Sequence, residues 1–244
     1  MIAVDVTEGE VASQLDLRPL TGADELAVGG QDAAAALALL TRLAPDRTID
    51  SMSVSEIDRG LAQLYIGLYG PRADCRAACA ACDDRYDFTL DLAEIVAAQD
   101  AEHPGPPDRD GAWTLRDGRR VRAPRPDDLA QGPGGLLARV TVDGDATIDP
   151  DAISRFLDVA APIMTLDFDT RCPHCGADGS VRFDLAVYLM HRLAGEREFL
   201  WRETHLIASR YGWSRAEILA LPRDDRRSFV RLIDGEDAQR RWSS

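Results

Sequence analysis

The spacing of apolar positions changes several times along the chain, and each change predicts an element. Residues 1–14 carry carboxylates without a period and predict loose order. Leu15-Asp-Leu-Arg-Pro-Leu20 alternates as a short strand does, and Pro19 confines it to an edge because it cannot donate within a central ladder. Thr21-Gly-Ala-Asp24 places a capping oxygen ahead of a helix. The Ala/Leu-rich stretch 32–43 predicts a helix that Pro45 ends. Ser53-Val-Ser-Glu56 is a capping box, in which hydroxyl and carboxylate each satisfy a free N–H. The helix behind it carries Ile57, Leu61, Leu64, Ile66 and Leu68, and Gly70-Pro71 closes it.

Arg85-Tyr-Asp-Phe-Thr-Leu90 returns to period two, with Tyr86, Phe88 and Leu90 on one face. A short helix over 92–98 leads into Ala101-Glu-His-Pro-Gly-Pro-Pro-Asp-Arg-Asp-Gly111, whose Pro, Gly and charge mark a linker. Residues 113–122 read as a hairpin turning at Asp117-Gly118 in a type I′ turn. Pro126-Asp-Asp-Leu starts a helix with carboxylates near its positive end, while Gly132-Pro-Gly-Gly135 reads as a turn. A helix is expected over 150–160 and strands over 164–168 and 180–185. The longest helical pattern runs from 185 to 209, with Leu189, Leu193, Leu200 and Ile207 near one stripe, and Gly212 ends it. Ser214-Arg-Ala-Glu217 is a second capping box. Pro222 opens a last helix over 223–233, with Phe229, Val230 and Ile233 facing inward and a frayed polar tail after Gly235.

Two C-x-x-C pairs, Cys79-Ala-Ala-Cys82 and Cys172-Pro-His-Cys175, interrupt this pattern. Such a turn lets two thiolates converge on one cation, and two turns complete the all-sulfur tetrahedron of a structural zinc site. Each pair is followed by a polar turn, an amphipathic strand and a helix: Phe88-Thr-Leu90-Asp-Leu92 after the first, Val181-Arg-Phe183-Asp-Leu185 after the second. This is the layout of a zinc ribbon with residues 83–171 inserted between its knuckles. The reading therefore assigns one structural zinc ion to Cys79, Cys82, Cys172 and Cys175. A thioredoxin-like redox pair would follow a strand within a βαβ unit, a context neither pair offers. Buried free cysteines would not come as two matched pairs. Cys75 is left as a spare thiol, because replacing Cys79 with it makes the less usual C-x-x-x-C knuckle.

Composition narrows the partners. Lys plus Arg is 28 against 42 Asp plus Glu, a net charge of −14, which repels nucleic acid because that affinity depends on cations displacing counterions. Every cation is Arg, as codon bias in a GC-rich bacterial genome produces. No apolar run approaches the ~20 residues of a membrane span. The acidic N-terminus lacks the basic start of a signal peptide, and a cytoplasmic location is expected. Catalytic signatures are missing: no G-x-S-x-G, Walker loop, G-x-G-x-x-G or H-E-x-x-H occurs. Four cysteines would also close the metal's shell, whereas a catalytic zinc keeps an open position. His174 reads as a turn residue, His103 lies in the linker, and His191 and His205 lie in the long helical pattern.

The C-terminal third carries a resemblance. The run Trp201 to Pro222, with the helix after it, resembles the ending of bacteriophage T4-like baseplate hub assembly proteins and their relatives in bacterial contractile injection systems. That ending has the pattern E-x-x-x-[IL]-A-x-x-Y-G-W-x-x-x-x-I-L-x-L and then a short Arg-rich helix with an aromatic. Glu203, Ile207, Ala208, Tyr211, Gly212, Trp213, Ile218, Leu219, Leu221, Arg226, Arg227 and Phe229 match it here. The opening Leu17-Arg-Pro-Leu-Thr-Gly-Ala-Asp-Glu25 and the helix over 53–70 are similar to that family's start, and its phage-tail-like branch also pairs two knuckles across an inserted middle. Tyr211 and Trp213 are expected to anchor the core.

These readings together predict an α+β chain, helical at its N- and C-terminal regions around a central zinc ribbon with short antiparallel strands. The segments are 1–74 (strand and helices), 75–98 (first knuckle and strand), 99–170 (inserted linker, hairpin and helices), 171–185 (second knuckle and strand) and 186–244 (C-terminal helices). The resemblance implies a non-enzymatic baseplate or spike-hub assembly protein whose partners are baseplate, spike or hub proteins, with no nucleic acid and no membrane. The alternative is a zinc-ribbon nucleic-acid-binding or transcription adaptor, against which stand the charge and the lack of a basic stripe.

Overall fold

The computed structural model describes residues 15–129 and 132–242; the expectation for residues 1–14 lies outside them. In chain order come α1 (Gly22–Ala27), α2 (Ala33–Leu43), α3 (Val54–Tyr69), β1 (Arg72–Ala78), β2 (Arg85–Asp91) and α4 (Leu92–Glu102). Next are β3 (Ala112–Thr114), β4 (Arg120–Arg122), α5 (Pro126–Leu129), α6 (Gly132–Val140), β5 (Thr141–Asp143) and α7 (Pro150–Ala160). The chain continues with β6 (Thr165–Arg171), β7 (Asp178–Asp184), α8 (Leu185–Gly195), α9 (Arg197–Tyr211), α10 (Arg215–Ala220) and α11 (Arg223–Trp242). This is an α+β chain with short antiparallel strand pairs. Among the described residues, no helix is long and apolar enough to cross a membrane.

The chain forms two compact units. Unit 1 takes Asp50–Asp184, with Leu15 held by the Gln63 side chain donating to its carbonyl at 2.8 Å. In it α3 starts at the predicted capping box, Ser53 accepting from the Glu56 N–H while Glu56 accepts from the Ser53 N–H at 2.8 Å. The inserted middle has its own core of Val121, Val140, Ile153 and Leu157, onto which Phe156 and Leu137 pack. Its sheet runs β3-β4-β5. The turn at Asp117-Gly118 is not type I′, which needs positive φ at both central residues. Only Gly118 has it (φ 89°), and Leu115 pairs with Arg119 across a three-residue loop, a type I turn with a bulge at glycine. Gly132 to Gly135 forms the start of α6 and not a turn.

Unit 2 takes Asp16–Ile49 and the chain from Leu185. The expected strand at 15–20 is absent: the segment takes no regular structure, the Arg18 N–H donates to Leu43 O, and an isolated bridge follows at Thr21 and Pro222. The single long helix expected over 185–209 is two, α8 and α9, broken at Gly195-Glu196, where glycine disfavours helix. The last helix continues to Trp242 instead of fraying after Gly235.

The residues that carry the family resemblance meet inside unit 2. Arg226, 1% exposed, donates to Glu25 at 2.6 Å and to Glu203 at 2.9 Å. Arg223 donates to the other Glu25 oxygen at 2.8 Å and pairs with Glu196 at 2.8 Å. Burying a carboxylate costs several kcal/mol unless cations and hydrogen bonds replace its water. Here two guanidiniums surround Glu25 and hold it below the usual carboxylate range against the opposing effect of burial. Below this network, Ile207, Ile218 and Ile233 form a buried cluster against which Trp213, Phe229 and Val230 pack partly buried. Tyr211 departs from expectation: it is 38% exposed, stacked at the rim against Trp213 at 5.5 Å and Phe229 at 5.6 Å.

Candidate metal centre

Two hairpins of unit 1 present the cysteines. β1 runs into Cys79-Ala-Ala-Cys82 and β2 leaves it; β6 runs into Cys172-Pro-His-Cys175 and β7 leaves it. All four strands are seven residues long, and the rungs next to the knuckles pair Ala78 with Arg85 and Arg171 with Asp178. The loops close in the same way. The Cys79 N–H donates to Asp84 O at 2.9 Å and the Asp83 N–H to Cys79 O at 2.8 Å. In the second loop the Cys172 N–H donates to Ala177 O and the Gly176 N–H to Cys172 O, both at 2.9 Å.

Each knuckle forces the residue after its second cysteine into left-handed backbone. Gly176 adopts it (φ 74°) without a Cβ in the way. The equivalent in the first knuckle is Asp83 (φ 61°), a residue that tolerates this region only at some cost.

The sulfurs converge across the hairpins. Cys79 Sγ lies 3.7 Å from Cys175 Sγ, and Cys82 Sγ lies 3.8 Å from Cys172 Sγ. All four lie within 4.8 Å of one another, so together they can hold a metal ion. Neither contact is a disulfide, whose S–S distance is about 2.05 Å. A tetrahedron with metal–sulfur bonds of about 2.3 Å has sulfur–sulfur edges of about 3.8 Å. The two cross-hairpin separations match that edge, and the four sulfurs can converge on one ion. Both short contacts join one hairpin to the other, so such an ion would link segments 90 and 96 residues apart.

Electrostatics explain why the set suits a cation. The first cysteine of each pair is buried and receives backbone donors. The N–H groups of Ala81 and Cys82 hold the Cys79 thiol down to about 7, and that of Cys175 lowers Cys172. The second cysteines go the other way: despite N–H groups from Asp84 and Ala177, desolvation and the neighbouring sulfurs push Cys82 up to about 12 and also raise Cys175. Sulfurs this close cannot all ionise against their mutual repulsion, and a divalent cation among them removes that obstacle.

Cys75 stands apart. It lies on β1 opposite Phe88, and its thiol donates to Ala73 O at 3.6 Å. Burial and Asp74 push it up to about 11, so it stays protonated. His174 sits in the knuckle outside the sulfur group; among the described residues no other cluster of three or more His, Cys, Asp or Glu is placed to hold a metal.

Two supporting residues went unpredicted. The Tyr86 hydroxyl hydrogen-bonds the Thr170 hydroxyl at 2.7 Å and so ties β2 to β6 beside the sulfurs. Asp58 on α3 accepts the Met164 N–H at 2.7 Å just ahead of β6, in a buried setting that pushes its carboxyl up to about 6. The alternation that exposed β2 gave a place to Tyr86 but no partner. Asp58 carries no sequence signal, since a charge on a helix is ordinarily solvated.

Comparison with protein-family models, with characterised proteins and with solved structures finds no match to this chain.

Proposed function

We propose that Cys79, Cys82, Cys172 and Cys175 hold one structural zinc ion. We propose too that the chain acts without catalysis, as an assembly or structural protein for the baseplate and spike hub of a contractile phage-tail-like particle. The observation that carries the metal reading is the convergence of four sulfurs within 4.8 Å of one another, two of whose separations, 3.7 and 3.8 Å, match the edges of a zinc–thiolate tetrahedron. Zinc would neutralise the thiolates and cross-link the two hairpins. The chain's own residues do the rest: the knuckle N–H groups stabilise the sulfurs, and Tyr86, Thr170 and Asp58 fix the hairpins. Four thiolates leave no open coordination position, which supports a non-enzymatic role.

The assembly reading rests on the family resemblance. Its support is that Glu25, Glu203 and Arg226, drawn from the opening and closing motifs, are mutually bonded and buried. Such a constellation is a reason for those residue types to occur together. The partners would be baseplate, spike or hub proteins, met in the cytoplasm.

Elemental analysis of native protein should give about one zinc per chain; an iron–sulfur absorption band or no metal refutes the metal reading. Pull-down from cells expressing the particle's genes should recover a hub, spike or baseplate protein, and a chelator should abolish the capture. Intact particles in a deletion strain, with no tail protein captured, would refute the assembly reading and favour a nucleic-acid adaptor.

A further inference from the structure

We propose that a cavity in unit 1, separate from the cysteines, binds a small organic monoanion with a flat apolar body. The inference does not depend on the assembly reading. The cavity has a volume of ≈ 580 Å³, within the ~300–1,000 Å³ of small-molecule sites. Its lining includes Ser55 and Arg59 of α3, His103, Trp113 of β3, Arg122 of β4 and Arg125.

The stretch that reads as a linker forms part of this lining through Gly105, Pro106 and Pro107, and it is built as a wall. The Trp113 indole N–H donates to Gly105 O at 2.9 Å, and the Gly105 N–H donates to His103 Nδ1 at 3.1 Å. Asp108 accepts from the N–H groups of Asp110 and Ala112 at 2.9 and 3.0 Å, and Arg120 pairs with both Asp108 and Asp110. A tether between domains needs none of these bonds.

The charges select the ligand. Arg59 pairs with Asp100, and Arg122 with Asp128 at 2.7 Å. The Glu56 carboxylate is taken by the Ser53 N–H and hydroxyl at 2.8 Å each. Among the described residues of the lining, Arg125 is the arginine for which no ion pair is found, and it lies exposed. One uncommitted guanidinium calls for one anionic head. Trp113 is half-buried, with its N–H occupied, and meets His103 and Phe156 edge-on at 6.2 and 6.0 Å. What it offers is ring surface, which with the two prolines suits a flat apolar body. Carboxylate and phosphate monoesters share this chemistry.

The test titrates the full-length protein with phenylacetate, indole-3-acetate, phenyl phosphate and the neutral phenylacetamide, following the Trp113 indole N–H by NMR. Saturable shifts with at least one of the three anions, at least tenfold weaker binding of the amide, and at least tenfold loss in Arg125→Glu are expected. Arg125→Glu should leave the Tm unchanged because the residue is exposed, and Arg125→Lys should retain most of the affinity. The anion that binds best separates carboxylate from phosphate monoester. Absence of saturable Trp113 shifts with all three anions, equal binding of acid and amide, or indifference to Arg125→Glu overturns the proposal. Inorganic phosphate binding as tightly as the organic anions overturns the apolar part of the site.

Discussion

Replacing Asp58 with Asn should stabilise unit 1, and by an amount that depends on pH. Asp58 is buried on α3, accepts the Met164 N–H at 2.7 Å and faces the negative charge of Asp184. Burial is the main reason its carboxyl rises to about 6 from an ordinary value of 3.8. Between those values the folded state holds a proton that the unfolded chain has lost, so stability falls as pH rises from about 4 to about 6. Above that range the penalty is complete. A gap of about two pH units at 1.36 kcal/mol each comes to about 3 kcal/mol. Asn keeps an oxygen for the Met164 N–H and never ionises. The variant should therefore be more stable by up to about 3 kcal/mol at pH 7.5 and by about 1.5 kcal/mol at pH 5. Hydrogen exchange on peptides covering α3 and the β6–β7 hairpin reads this unit alone. Comparing the two proteins at each pH cancels every other titrating group. A difference that is the same at both pH values, or a variant less stable at both, would refute the reasoning.

Cys172→Ser should remove most of the metal and severely destabilise unit 1, since a structural zinc supplies an apparent ~10–16 kcal/mol in finger peptides; Cys75→Ser should be mild, and metal content with thermal melts gives the order. Arg226→Met should cost about 3–5 kcal/mol by leaving one oxygen each of the buried Glu25 and Glu203 without its cation, read as urea unfolding of the C-terminal helices. Gly22→Ala should cost about 1–3 kcal/mol, because a Cβ there would stand 2.9 Å from Leu219 Cδ2 and 3.0 Å from Arg226 Nη1; an unchanged melting temperature would refute that fit. Asp83→Gly should gain up to about 1 kcal/mol by relieving the left-handed backbone of the first knuckle, and a loss would show that the carboxylate itself matters there.

Local chemistry made much of this legible from the sequence. The capping boxes at Ser53 and Ser214 and the capping oxygen at Thr21 set helix starts where residues a few positions apart bond one another. The knuckles were legible because thiolates need a fixed spacing to share an ion. What stayed hidden depends on partners distant in sequence. β1 was missed although Arg72–Ala78 alternates polar and apolar residues, because its apolar members are Ala and Cys, none of them β-branched or aromatic; its register comes from pairing with β2. β5 is three residues long and exists by pairing with β4. The break between α8 and α9 lay inside an apolar stripe that continues across it, and only Gly195 marked it. Residues 103–111 had the composition of a linker, yet side-chain bonds from Asp108, Arg120 and Trp113 order them.

Because unit 2 is split around unit 1, the order of synthesis matters. Glu25 leaves the ribosome early, but its partners Arg223 and Arg226 follow 198 and 201 residues later. At roughly 5–20 residues per second this delay is on the order of 10–40 s. Unit 1, complete at Asp184, can fold on the nascent chain and bring its four cysteines together. Meanwhile α1 and α2 await α8 and α11, with Leu39, Leu40 and Leu43 uncovered. Helices α1 and α2 are thus made before unit 1 and covered only after it, and that interval is when the chain has most need of a holding factor.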